Sequence, residues 1–176
     1  MTAQNRHLRG EGNAVLVPIR GNVVVEAGDF MVFNDTAGMI SENGTISDCL
    51  AIDGYCYPFN DVENEATSQA SVMVLLYSNF IGVAMESSES GVTENISVNT
   101  DGVVRYPMIG GSGGVTVGSF VSATSPATGT GVSTQMVSRE VISPGSTAYL
   151  GRIVKTESGA SFVDFQIATT YNGLAS

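Results

Sequence analysis

The sequence predicts a mainly β chain: a compact β-sandwich or barrel with one short-to-medium α-helix and an extended N-terminal arm. Three observations predict this class. Short apolar runs recur along the chain, turns rich in Gly, Asn and Asp separate them, and only one stretch carries helical spacing. At 176 residues the chain is long enough to bury a sizeable core within one domain. Residues 14–176 read as that single β-rich domain and residues 1–13 as the arm.

The elements follow in order. Met1–Asn13 is polar and aperiodic, and its basic residues are Arg6, His7 and Arg9. Such a terminus is either disordered or a strand offered to a partner's sheet. Ala14–Ile19 is the first strand, Gly21-Asn22 a turn, and Val23–Val25 a second strand. Glu26–Asp29 turns the chain into Phe30–Phe33. Asn43-Gly44, between Met39-Ile40 and Thr45-Ile46, fits a type I′ hairpin, and Tyr55–Pro58 closes this half.

Asn60–Asn79 differs in character. Asn60 with Glu63 fits a helix N-cap and its returning carboxylate. Val62, Ala66, Ala70, Val74 and Tyr77 then recur along one helical face, which predicts a helix of about four turns. Val72–Tyr77 taken alone also fits a buried strand running into Phe80.

Phe80–Val104 is the organising stretch. Phe80–Ala84 is apolar on both faces, with Gly82 where a side chain would collide with a neighbouring backbone. Ser87–Glu94 is a polar connection, and Asn95–Val98 alternates as a half-buried strand does. Asp101-Gly102 predicts a two-residue hairpin turn into Val103-Val104. Beyond it, Met108–Gly114 and Ser122–Ser133 are loops by composition. Val115–Val117, Phe120-Val121, Met136–Ile142, Tyr149–Lys155 and Phe162–Ile167 are strands.

An internal echo runs through this order. Val24–Phe30 (VVEAGDF) resembles Val115–Phe120 (VTVGSF), and Phe80–Ala84 (FIGVA) resembles Tyr149–Ile153 (YLGRI). The spacing between the paired segments differs. The pattern therefore predicts two related β-modules folded against each other, not a solenoid of fixed period.

Composition narrows the function. Only 14% of residues are charged while 43% are hydrophobic. Either another molecule covers part of the surface, or Ser, Thr and Asn do the solvating. The net charge of −10 and pI of about 4.2 argue against nucleic acid and anionic membrane as partners. Arg6 and Arg9 put +2 on the first ten residues, which leaves −12 on the rest of that −10. No apolar run approaches the ~20 residues of a membrane span, and the N-terminus lacks an apolar signal core, so synthesis in a cytosol is expected. In that compartment the Asn-x-Ser/Thr triplets at Asn34, Asn43 and Asn95 carry no glycans.

Candidate chemistry is sparse. Cys49 and Cys56, with His7 the lone histidine, would make an unusual zinc set, and two reduced, half-buried thiols is the better reading. Gly110–Gly114 matches G-x-S-x-G on paper. A nucleophile elbow, however, needs a strand before it, a helix after it and a later histidine, and the chain has only His7 upstream. The acids of Glu86–Glu94 fall in a solvated turn, Asn99–Gly102 lacks the alternating acids of a calcium loop, and no phosphate loop is present. No catalytic, metal or cofactor-binding residue is expected, and no enzyme.

The arrangement resembles the head decoration (capsid cement) proteins of tailed bacteriophages. The V-x-x-G-D-F turn at Val25–Phe30 carries the resemblance, with the helix running into Phe80–Ala84, the strand Ile96–Val98, the Asp-Gly turn into Val103-Val104, and the late strand pair after Val117–Phe120. It covers about Ala14–Ile167, while the hairpins at Met39–Pro58 and Met108–Ser133 go beyond the smallest members. The resemblance implies a fold similar to the β-tulip of the lambda-type proteins. It implies a homotrimer on the outside of the expanded virion capsid, bound to the major capsid protein of the same phage and stabilising the DNA-filled head. It brings no catalytic residue. On that reading Arg6, His7 and Arg9 form a capsid-binding arm. The competing reading is a β-rich virion or surface module for a host receptor or glycan. The absence of Trp and an aromatic fraction of 7% weigh against a sugar site.

Overall fold

The computed structural model describes residues 6–9, 13–19, 21, 23–34, 54–59, 77, 79–109, 115–124, 135–139, 149–156 and 161–169. They form two antiparallel sheets. The strands are β1 (Arg6–Arg9), β2 (Ala14–Val17), β3 (Phe30–Asn34), β4 (Tyr55–Pro58), β5 (Phe80–Ala84), β6 (Ile96–Asn99), β7 (Val103–Pro107), β8 (Phe120–Ala123), β9 (Val137–Arg139), β10 (Gly151–Thr156) and β11 (Phe162–Ile167). One sheet runs β2-β6-β5-β3-β4 and the other β1-β7-β11-β10-β8-β9.

Without β1, the two orders are one order repeated: β2, β6, β5, β3 and β4 correspond to β7, β11, β10, β8 and β9. The register repeats as well. Phe30 faces Val83 and Met31 faces Gly82, as Phe120 faces Arg152 and Val121 faces Gly151. Ala14 faces Asn99 as Val103 faces Gln166. Even the isolated parallel bridges match, Ile19 to Cys56 and Met108 to Val137. The turns into β3 and β8 make equivalent bonds: the Gly28 and Gly118 amides donate to the Ala84 and Ile153 carbonyls, at 2.7 and 2.8 Å. Two modules of one topology, Ala14–Thr100 and Val103–Thr169, account for the echo in the sequence.

A glycine is required at the same point of each module. A Cβ on Gly82 would fall on the carbonyl oxygen of Asn99, and a Cβ on Gly151 on that of Gln166. The side-chain-free central strand lets its neighbour approach at this level.

The modules share one core. Tyr57, Tyr106, Phe30, Phe59, Phe80 and Phe165 are fully buried. Phe30 of the first module stacks on Tyr106 of the second with ring centroids 4.7 Å apart, and Phe80 and Phe59 pack around it at 6.3 and 5.7 Å. Polar bonds also cross between the sheets. The Tyr106 hydroxyl donates to the Gly28 carbonyl at 2.5 Å, and the Ala123 amide donates to the Tyr77 hydroxyl at 2.9 Å.

Several expectations are corrected. Asp101-Gly102 is a corner and not a hairpin: Gly102 has the positive φ of 106° that such a turn needs, but β6 and β7 belong to different sheets. Asp101 fixes this corner by accepting from the Gly102 amide and from Gln166 Nε2, each at 2.6 Å. Val115–Val117 is not a strand, because Thr116–Ser119 forms the turn equivalent to Glu26–Asp29, each closed by a hydrogen bond from the amide of its last residue to the carbonyl of its first at 3.0 Å. Val23–Val25 contributes only a single bridge, Val25 to Ser88. The extended arm is replaced by an edge strand, since Arg6–Arg9 pairs with β7. The helix expected over Asn60–Asn79 lies outside the described residues except for Tyr77, which is helical, and Asn79. The hairpin at Asn43-Gly44 lies outside them entirely. Among the described residues no helix is long and apolar enough to cross a membrane.

Candidate interaction surface

Among the described residues the buried carboxylates are engaged, while the Ser88 hydroxyl, Asn99 Oδ1 and the Thr124 hydroxyl are buried without a hydrogen-bond partner. Asp29 is buried beneath its own turn, accepting from the Glu26 amide at 2.8 Å and from Gln135 Nε2 at 3.0 Å. Asp164 receives two bonds from Arg105, at 2.6 and 3.0 Å. Cys56 is fully buried on β4 against β3, and Cys49 lies outside the described residues. No group of three or more His, Cys, Asp or Glu residues is placed to hold a metal among the described residues. Glu86 caps a strand, accepting from the Ser97 amide at 2.5 Å, and Ser88 bridges Val25. Gly110–Gly114 lies outside the described residues.

Two of these buried groups set the alkaline behaviour. Burial pushes the Cys56 thiol from its ordinary 9.0 up to about 12. Burial, and then the charge of Asp29, raise the Tyr106 phenol well above its ordinary 10.0. In the unfolded chain both groups release protons at their ordinary values. Above pH 9.0 the unfolded state therefore binds fewer protons than the folded state, and stability falls as pH rises. The expected result is a thermal midpoint that is level with respect to these groups below about pH 9 and declines between about pH 9 and 12. The combined substitution Cys56→Ala, Tyr106→Phe flattens that decline. An equal slope in the variant would contradict the assignment.

The surface is more informative than the interior. Arg6, His7 and Arg9, the sequence-predicted site, lie together on β1, but that strand is the edge of its own sheet. Arg6 faces Arg105, His7 faces Val104 and Arg9 faces Val103. β2 stands at the corresponding position in the other sheet, and among the described residues it pairs with β6 alone.

The outward rows behind these two edges differ in chemistry. Behind the covered edge, the register sets Arg105, Asp164 and Lys155 side by side, a row of alternating charge. Behind the open edge stand Leu16, Ser97 and Met85. Leu16 faces Ser97, and the Ser97 hydroxyl lies 3.8 Å from the Met85 sulfur. Leu16 is 70% exposed and Met85 51%. Two further exposed apolar residues are Phe162, which faces half-buried Pro107, and Ile109, two residues beyond Pro107 in the chain.

The sequence reasoning missed Leu16 and Met85. Ala14–Ile19 is apolar throughout, so nothing in it marks Leu16 as outward-facing; only the alternation of a paired strand does. No protein-family model, curated protein or solved structure matches the chain.

Proposed function

We propose that this chain is a structural virion protein that binds the outer surface of the expanded phage capsid and bridges capsomers, a non-enzymatic cement protein. The observation that carries this reading is the exposed apolar surface. Large hydrophobic side chains are left in solvent at Leu16 and Met85 beside one sheet and at Phe162 and Ile109 beside the other, and at Val24, Val117 and Val154 as well. Large apolar side chains left clustered in solvent mark contacts with other proteins. Such side chains beside both sheets of one small chain suit a molecule that touches both its own copies and a shell. The two-sheet architecture is compatible with a β-tulip fold, and the homotrimer is part of the same proposal.

The capsid contact is assigned to Phe162 and Ile109, because Arg6–Arg9 is engaged on β7 rather than extended. Interfaces of about 1,600 Å² give stable complexes, and repetition over a shell multiplies a modest stabilisation at each site. The acidic body keeps the protein off the genome. The test is co-sedimentation with expanded and unexpanded capsids of the same phage. Saturable binding to expanded shells is expected, reduced at least tenfold by Phe162→Asp with Ile109→Asp, a change of about 1.4 kcal/mol. Binding to neither shell would remove the capsid role.

A further inference from the structure

The two modules differ in one element. The edge of β7 is covered by β1, whereas among the described residues the same edge of β2 has no partner strand. We propose that the β2 edge is an acceptor site for the Arg6–Arg9 strand of a second copy of this chain.

The occupant is argued from the fold itself. β1 is the segment that the chain already seats on the equivalent backbone frame. Transferred by the correspondence of β7 to β2, its register sets Arg6 opposite Leu16, His7 opposite Val15 and Arg9 opposite Ala14. In its own sheet the register sets Arg6 opposite Arg105. The transfer covers Leu16, 70% exposed as the chain stands, and adds a strand beside the Leu16–Ser97–Met85 row. The backbone bonds broken on β7 are replaced in kind on β2.

Charge agrees with this assignment. The donor strand belongs to the basic first ten residues, and the acceptor edge belongs to the acidic remainder of the chain. Exchange of a terminal element between copies is a low-cost route to assembly. Because the donated strand and the acceptor edge are different surfaces, the contact is head-to-tail, and repeated around an axis it closes a ring. This contact holds or fails independently of the capsid reading.

The test uses full-length chains with Cys49→Ser in the background, Cys56 being buried. Arg6→Cys chains are mixed with Leu16→Cys chains and oxidised mildly. Directly opposed residues of an antiparallel pair have Cβ atoms about 4.5–5.5 Å apart, close to disulfide reach. The expected product is a mixed disulfide dimer, with none from Arg6→Cys mixed with Arg105→Cys. Leu16→Arg, a change at an exposed position, is expected to lower the solution mass to that of one chain while leaving circular dichroism unchanged. A disulfide through Arg105→Cys instead, or between two Leu16→Cys chains alone, overturns the assignment, as does an absence of cross-linking or an unchanged mass for Leu16→Arg.

Discussion

Replacing Gly82 by alanine is expected to destabilise the protein by about 3–5 kcal/mol, the sum of an overpacked contact and a strained backbone. The new methyl would meet the Asn99 carbonyl oxygen, its carbon and the Thr100 Cα, all backbone atoms that move only if β6 moves. Gly82 also has a φ of +144°, which a side chain disfavours even without the clash. Gly151→Ala separates the two contributions. It meets the same obstruction, from the Gln166 carbonyl, at a φ outside the left-handed region. Its expected cost is about 2–3 kcal/mol. Urea titration of both variants measures the pair, and a loss below about 1 kcal/mol for Gly82→Ala would refute the close approach.

Phe30→Ala has the second large expected effect, about 3–5 kcal/mol. Phe30 is fully buried where the modules meet, its ring against Phe59 and Phe80 of its own sheet and Tyr106 of the other. The cavity left behind touches both sheets, so both lose contacts together. The variant is therefore expected to unfold in a single transition, with far-ultraviolet dichroism and tyrosine fluorescence changing at the same urea concentration. Two separated transitions would show that the modules are stabilised separately and that this stack does not join them.

Much of the fold was legible in the sequence, for identifiable reasons. Phe30–Phe33 and Phe80–Ala84 are apolar runs bounded by turn residues, Phe162–Ile167 is apolar apart from Asp164 and Gln166, and each is a strand. The paired glycines in FIGVA and YLGRI mark one steric need met twice, which is why so faint an echo reported a real repeat. The sheet partners were less legible. Asp101-Gly102 signals a change of direction, but the choice between hairpin and corner depends on which distant strand pairs with Val103–Pro107. Arg6–Arg9 has no periodicity, because an edge strand is held by its backbone and the side chains need not alternate. The surface at Leu16 was hidden for the opposite reason, as an outward apolar residue on an apolar strand looks like core.

The Arg105–Asp164 pair has a consequence for how the chain finds its fold. Two nearly superimposable backbone frames in one polypeptide invite mispairing, since β11 fits beside β2 as well as beside β7 by hydrogen bonding alone. In that wrong place Asp164 would face Leu16 and stand without its guanidinium partner. Side-chain divergence between the modules thus sorts strands that the backbone alone treats as interchangeable. The Arg105–Asp164 pair favours β7 over β2 as the neighbour of β11.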